Sequence, residues 1–89
     1  MITKTITIIN KLGLHARAAA KLVTLASQFK SEIQLTRNQR TVNGKSIMAV
    51  MLLAASKGTE LEIIAEGDDE TEAMDAILQL INNKFDESE

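Results

Sequence analysis

The sequence predicts an α+β fold, with a four-stranded antiparallel sheet covered on one face by three helices in the order β-α-β-β-α-β-α. Three observations predict it. Four short segments alternate apolar and polar residues, the mark of a strand with one buried and one wet face. Three other segments repeat apolar residues at helical spacing. A sheet with a polar face cannot be enclosed between two layers, so the helices must share its other side.

Met1 to Ile9 reads as the first strand, with Ile2, Ile6 and Ile8 on one face and Thr3, Thr5 and Thr7 on the other. Asn10 to Leu14 is a loop, and Gly13 gives it backbone freedom. Ala16 to Phe29 reads as a helix because Ala19, Leu22, Ala26 and Phe29 fall on one stripe and alanine favours the state. Ser31 to Arg37 alternates again, with Ile33 and Leu35 inward. Asn38-Gln39 is a two-residue turn, and Arg40 to Asn43 is the returning strand of a hairpin. Ser46 is a good N-cap for a short helix ending near Leu53 or Ala54.

Ser56-Lys57-Gly58 breaks the chain. Thr59 to Ala65 is the fourth strand, with Leu61, Ile63 and Ala65 inward. Gly67-Asp68 turns into a last helix starting near Asp69, with Asp68 and Asp69 as cap candidates and Ala73, Ile77, Leu80 and Ile81 as its buried stripe. Asp86 to Glu89 is an acidic tail expected to fray.

The 89 residues suit a single domain, and 45% hydrophobic with 25% charged residues is a globular composition. Only Phe29 and Phe85 are aromatic, so the core must be aliphatic. Without cysteine there is no disulfide, thiolate metal site or cysteine nucleophile. A net charge of −2 and the lack of tryptophan and tyrosine argue against nucleic-acid binding. The longest apolar run, the nine residues from Ile47 to Ala55, is far short of the roughly 20 a membrane span needs. A cytoplasmic protein without membrane insertion is expected. The acidic run from Glu66 to Glu72 fits no recognised metal loop, so neither a metal nor a cofactor is expected.

The chemistry concentrates at His15, the only histidine, where a loop meets the alanine-rich helix. A helix start gathers unpaired backbone N–H groups and the positive end of the helix dipole, which together suit an anion. Arg17 adds a planar cation matched to phosphate oxygens. An imidazole nitrogen can attack a phosphoryl group directly, so the set suits phosphoryl transfer through a phosphohistidine. The bland readings are a capping or idle histidine and an exposed helix arginine. The short helix from Ile47 is apolar nearly all round. If Val50 and Leu53 face the sheet, Met48, Met51 or Leu52 must lie near the surface, where methionines suit protein contacts. Ser46 is first a cap, and a phosphate on it would add about −1.5 to −2 charge that could repel an acidic partner.

Gly13-Leu14-His15-Ala16-Arg17 resembles the active-site motif of the HPr family, the histidine phosphocarriers of the bacterial phosphoenolpyruvate-dependent phosphotransferase system. Asn43-Gly44-Lys45-Ser46-Ile47-Met48 resembles that family's regulatory-serine motif. The resemblance spans essentially the whole chain, residues 1–89, and implies an open-faced β-sandwich. It implies that His15, through Nδ1, accepts a phosphoryl group from phosphorylated enzyme I and passes it to a histidine of enzyme IIA, with Arg17 stabilising the phosphate. It further implies that Ser46 is a site for HPr kinase/phosphorylase, and that partners dock on the first and short helices, here Ala20, Ile47, Met48, Met51 and Leu52. Ala18 departs from the family, which usually has proline there; alanine keeps the turn helical. The tail Asn82 to Glu87 is similar to the nitrogen-branch paralogue NPr, whereas the serine segment is similar to HPr proper, so a role in sugar uptake or in nitrogen regulation is open. The other readings are a docking module gated by Ser46 phosphorylation and a ferredoxin-like small-molecule sensor. A shuttle that must expose its site is expected to act as a monomer.

Overall fold

Four strands and three helices form as the periodicities predict. In a computed structural model, which describes residues 1–86, the elements are β1 (Ile2–Thr7), α1 (Ala16–Ala26), β2 (Glu32–Arg37), β3 (Arg40–Asn43), α2 (Ile47–Leu52), β4 (Glu60–Glu66) and α3 (Glu70–Asn82). Residues 87–89 of the expected acidic tail lie outside the described residues.

The sheet is antiparallel throughout, in the order β1-β4-β2-β3. Its registers stack Ile2, Ala65 and Ile33 in one row and Lys4, Ile63, Leu35 and Val42 in the next, all on the helix side. The other face carries Thr5, Glu62, Thr36 and Thr41 in one row, and the Thr36 and Thr41 hydroxyls bond at 2.8 Å. This is the α+β open-faced sandwich that the alternation requires, because one face is wet and the other packs on helices. β1 lies at the edge and pairs with β4 alone, which overturns the ferredoxin-like alternative. Lys4 shares the inward face of β1 but stays exposed at the sheet margin.

The core between the layers is aliphatic. Ile8, Leu22, Ile33, Leu35, Leu61, Ile63, Met74, Ile77 and Ile81 are all buried, with Phe85 as the one fully buried ring. The stripe of α3 includes Met74, which the sequence reading omitted, whereas Leu80 is only half-buried. α1 ends at Ala26 instead of Phe29 because its last turn tightens. The N–H groups of Gln28 and Phe29 donate to the carbonyls three residues back, Leu25 and Ala26. β1 ends at Thr7 because the pairing is not returned beyond it: the Ile8 carbonyl accepts from the Gly58 N–H at 2.7 Å, while the Thr59 N–H turns to the Ser56 carbonyl at 3.0 Å.

Two local features differ from expectation. Asp69 stands at the N-cap position of α3, yet its carboxylate makes no capping bond. It instead bridges to the loop before β2, accepting from the Ser31 hydroxyl, the Lys30 N–H and the Ser31 N–H, each N–H at 2.9 Å. Gly67 makes this approach feasible, since a Cβ there would lie 2.6 Å from the Ser31 hydroxyl. The chain also turns sharply just after α3. Lys84, Phe85 and Asp86 form a left-handed turn that buries the Phe85 ring, and Lys21 Nζ donates to the Phe85 carbonyl at 2.6 Å.

The Ser31 hydroxyl, followed by the Lys30 N–H, lowers the Asp69 carboxyl from 3.8 to about 2. Unfolding restores the higher value, so the unfolded chain takes up the proton first as pH falls. The stabilisation is therefore complete above about pH 4 and is lost as pH falls towards 2. Urea midpoints measured across this window should fall less steeply for Asp69→Asn than for the wild type. A second prediction concerns the β2–β3 turn. Asn38 (φ 50°) and Gln39 (φ 67°) are both left-handed, the geometry of a two-residue turn that favours glycine at its second position. Gln39→Gly should raise stability by about 0.5–1 kcal/mol, seen as a rise in Tm of roughly 2–8 °C.

Candidate functional site

The site begins with a loop that only glycine can close. Asn10 is fully buried, and its Nδ2 donates to the Gly13 carbonyl at 2.8 Å while the Gly13 N–H returns to the Asn10 carbonyl at 3.2 Å. The Leu14 N–H then bonds the Ala55 carbonyl at 2.8 Å. Gly13 has φ 65°, and a Cβ on it would sit 2.4 Å from the Ala55 oxygen and 2.8 Å from Ser56 Cα. The loop is thus clamped to the segment after α2, and Leu14 is buried there as an anchor. The sequence marks Asn10 only as a loop residue, because a side-chain amide that donates to a carbonyl of its own loop leaves no periodic trace.

His15 follows the clamp at the N-cap of α1, with extended backbone (φ −72°, ψ 178°). Its carbonyl accepts the Ala19 N–H at 2.8 Å and opens the helical ladder, but its side chain makes no capping bond. The imidazole is half-buried, outside the aliphatic core. The amides of Ala16, Arg17 and Ala18 precede the ladder, so the helix start directs N–H groups and its partial positive charge to the same end. Arg17 is exposed one residue beyond this start. It lines an open groove of about 460 Å³ with Ala20, Lys21, Leu80 and Asp86. Among the described residues, no carboxylate comes within 4.0 Å of its guanidinium. Ala18, at the position usually proline in the resembled motif, is buried in the first turn.

Ser46 is the N-cap of α2, and its Oγ accepts the Ala49 N–H at 3.4 Å. Beside it, Lys45 Nζ donates to the Phe29 carbonyl at 2.7 Å, tying α2 to the end of α1. Val50 and Leu53 face the core, while Ile47, Met48, Met51 and Leu52 are exposed, Met48 at 74% and Leu52 at 67%. Ala20 is half-buried on α1. A six-residue helix is too short to persist by its own hydrogen bonds. The far end of α2 is held by two groups that sequence reasoning missed: Arg37 Nη1 donates to the Leu53 carbonyl at 2.6 Å, and Arg40 Nη1 to the Leu52 carbonyl at 3.4 Å. Arginines in a hairpin carry no sequence mark that ties them to a helix end.

No helix among the described residues is long and apolar enough to cross a membrane. Among those residues, no group of three or more histidine, aspartate or glutamate side chains could hold a metal ion.

Comparison with known proteins points the same way. The family model described as the PTS HPr component phosphorylation site matches residues 2–83. Phosphocarrier protein HPr of Neisseria meningitidis serogroup A is 57% identical over 89 residues, covering all of both chains. That of Pseudomonas aeruginosa is 59% identical over 85 residues, covering 94% of each. The crystal structure of HPr-C-His from Thermoanaerobacter tengcongensis superposes with a TM-score of 0.96 at 48% identity, covering all of both chains. A clamped loop that presents a histidine at a helix start, in a chain matched over nearly its whole length, is therefore that of a phosphotransferase-system phosphocarrier, and the chain belongs to the HPr family.

Proposed function

We propose that His15 accepts a phosphoryl group from phosphorylated enzyme I and passes it to a histidine of an enzyme IIA domain. One observation carries the reading: the His15 side chain heads α1 without serving as its cap, next to an exposed arginine. The lone pair of the imidazole nitrogen, Nδ1 by family resemblance, attacks phosphorus. As the new N–P bond forms, the bond to the donor breaks and its electron pair leaves with the donor. In the second step the acceptor's nitrogen attacks, and the N–P bond to His15 breaks in the same way. Between the two steps, the helix-start amides and Arg17 balance the charge on the phosphoryl oxygens. The open setting suits a group that must pass from one protein to another, and no further chemistry is required of the chain itself.

The exposed residues Ile47, Met48, Met51 and Leu52, with Ala20 on α1, form the docking surface in this reading. Ser46 is the regulatory site and the target of HPr kinase/phosphorylase. A phosphate there would sit at the start of α2, where helix N–H groups tolerate it, and would charge the margin of the apolar patch. The chain acts as a single domain, residues 1–89, as a monomer in the cytoplasm.

Incubation with phosphoenolpyruvate and enzyme I should add one acid-labile, alkali-stable phosphate per chain, read by intact mass. His15→Ala should take up none. Arg17→Ala should still be labelled, with transfer slowed about 100-fold in rapid-quench measurements. An unlabelled wild-type chain beside a labelled control carrier would refute the reading. Ser46→Asp keeps a good N-cap, so its urea midpoint should match the wild type while its affinity for enzyme I falls about tenfold.

A further inference from the structure

The two arginines at the end of α2 carry more charge than that helix end needs. Arg37 and Arg40 are direct cross-strand partners, joined through the tight Asn38-Gln39 turn. Like charges so placed repel. The carbonyl end of a helix presents roughly half an elementary negative charge, and two guanidinium groups exceed it. Among the described residues, no carboxylate lies within 4.0 Å of either guanidinium. Each guanidinium carries five N–H donors, and one from each reaches a helix carbonyl. Between them lies a cavity of about 240 Å³ lined by Arg37, Asn38, Arg40, Leu52, Leu53 and Ala54.

That cavity is continuous with two features of the site. Leu52 both lines it and belongs to the exposed apolar patch of α2. Ala54 lines it, and the next residue, Ala55, receives the Leu14 N–H from the loop that presents His15. A protein covering α2 would therefore bring its margin against the hairpin.

We infer that the docking surface extends from α2 onto the β2–β3 hairpin, where Arg37 and Arg40 receive an acidic segment of the protein that exchanges phosphoryl groups with His15. Charge complementarity selects the occupant: two cations in one recess, rigidly spaced by a hairpin, fit a carboxylate pair. The apolar residues supply contact area, and the arginines supply orientation and encounter rate. This inference rests on the phosphocarrier reading.

The test is titration of the wild type and variants with unphosphorylated enzyme I at low and high salt. Arg40→Gln should weaken binding about threefold and the double variant Arg37→Gln/Arg40→Gln about tenfold at low salt, with the curves converging at high salt. Because Arg37 also holds α2, the double lysine variant serves as the second probe. It keeps the charges and should restore the salt dependence, which a purely structural role would not do. Wild-type affinity and salt dependence in the glutamine variants, while enzyme I still labels wild-type His15, would overturn the inference and leave the phosphocarrier reading intact. A wild-type chain that neither binds nor takes label would overturn both. Inorganic phosphate that shifts the Arg37 and Arg40 resonances at micromolar concentration, with enzyme I affinity unaltered by the substitutions, would also overturn it and assign the recess to a free anion.

Discussion

The close approach of two backbones, at Gly13 and Ala55, is the constraint on which the site depends. His15 sits two residues beyond a point where the chain has no room for a side chain. The Asn10 amide and the Leu14 N–H hold the loop to either side of that point. His15 is therefore positioned by main-chain geometry, and its side chain does not cap the helix. A donor and an acceptor must both find the same ring in the same place, and a loop clamped in this way does not have to be reordered at each encounter.

The short helix α2 shows how the fold supports an exposed apolar surface. Alone, six residues would not remain helical. Ser46 caps one end, the hairpin arginines bond the other, and Val50 with Leu53 anchors the middle. The remaining apolar side chains, Met48 and Leu52 above all, are turned outward. Both ends of α2 are polar, and the outward middle is not. The exposed strip of α2 is thus apolar, with a serine at one end and two cations at the other.

Much of this was legible in the sequence because it follows from repetition. Period-two alternation gave away the strands, and the wet face of each strand forced the helices onto one side. His15, Arg17 and Ser46 could be singled out because each stands next to a helix start, a position that a capping residue or an alanine run announces. What escaped was tertiary. Asp69 looked like a cap and instead reaches the loop before β2, since the Ser31 hydroxyl and two amides outcompete its own helix. Phe85 lies past the last helical stripe, with no periodic signal to mark it, and is a buried ring at the foot of α3. Asn10, Arg37 and Arg40 act on carbonyls of other segments or of a turn, and such bonds leave no periodic trace.

The exposed lysine on the inward face of β1 has a consequence for how many copies can share a solution. An unpaired strand margin invites another strand to zip alongside it. Here any newcomer would have to pack beside the Lys4 ammonium on the helix side of the sheet and strip part of its water. The penalty falls on assembly alone, since in the lone molecule the same ammonium stays hydrated. One charged side chain thus makes this strand margin a costly place for a further strand to join.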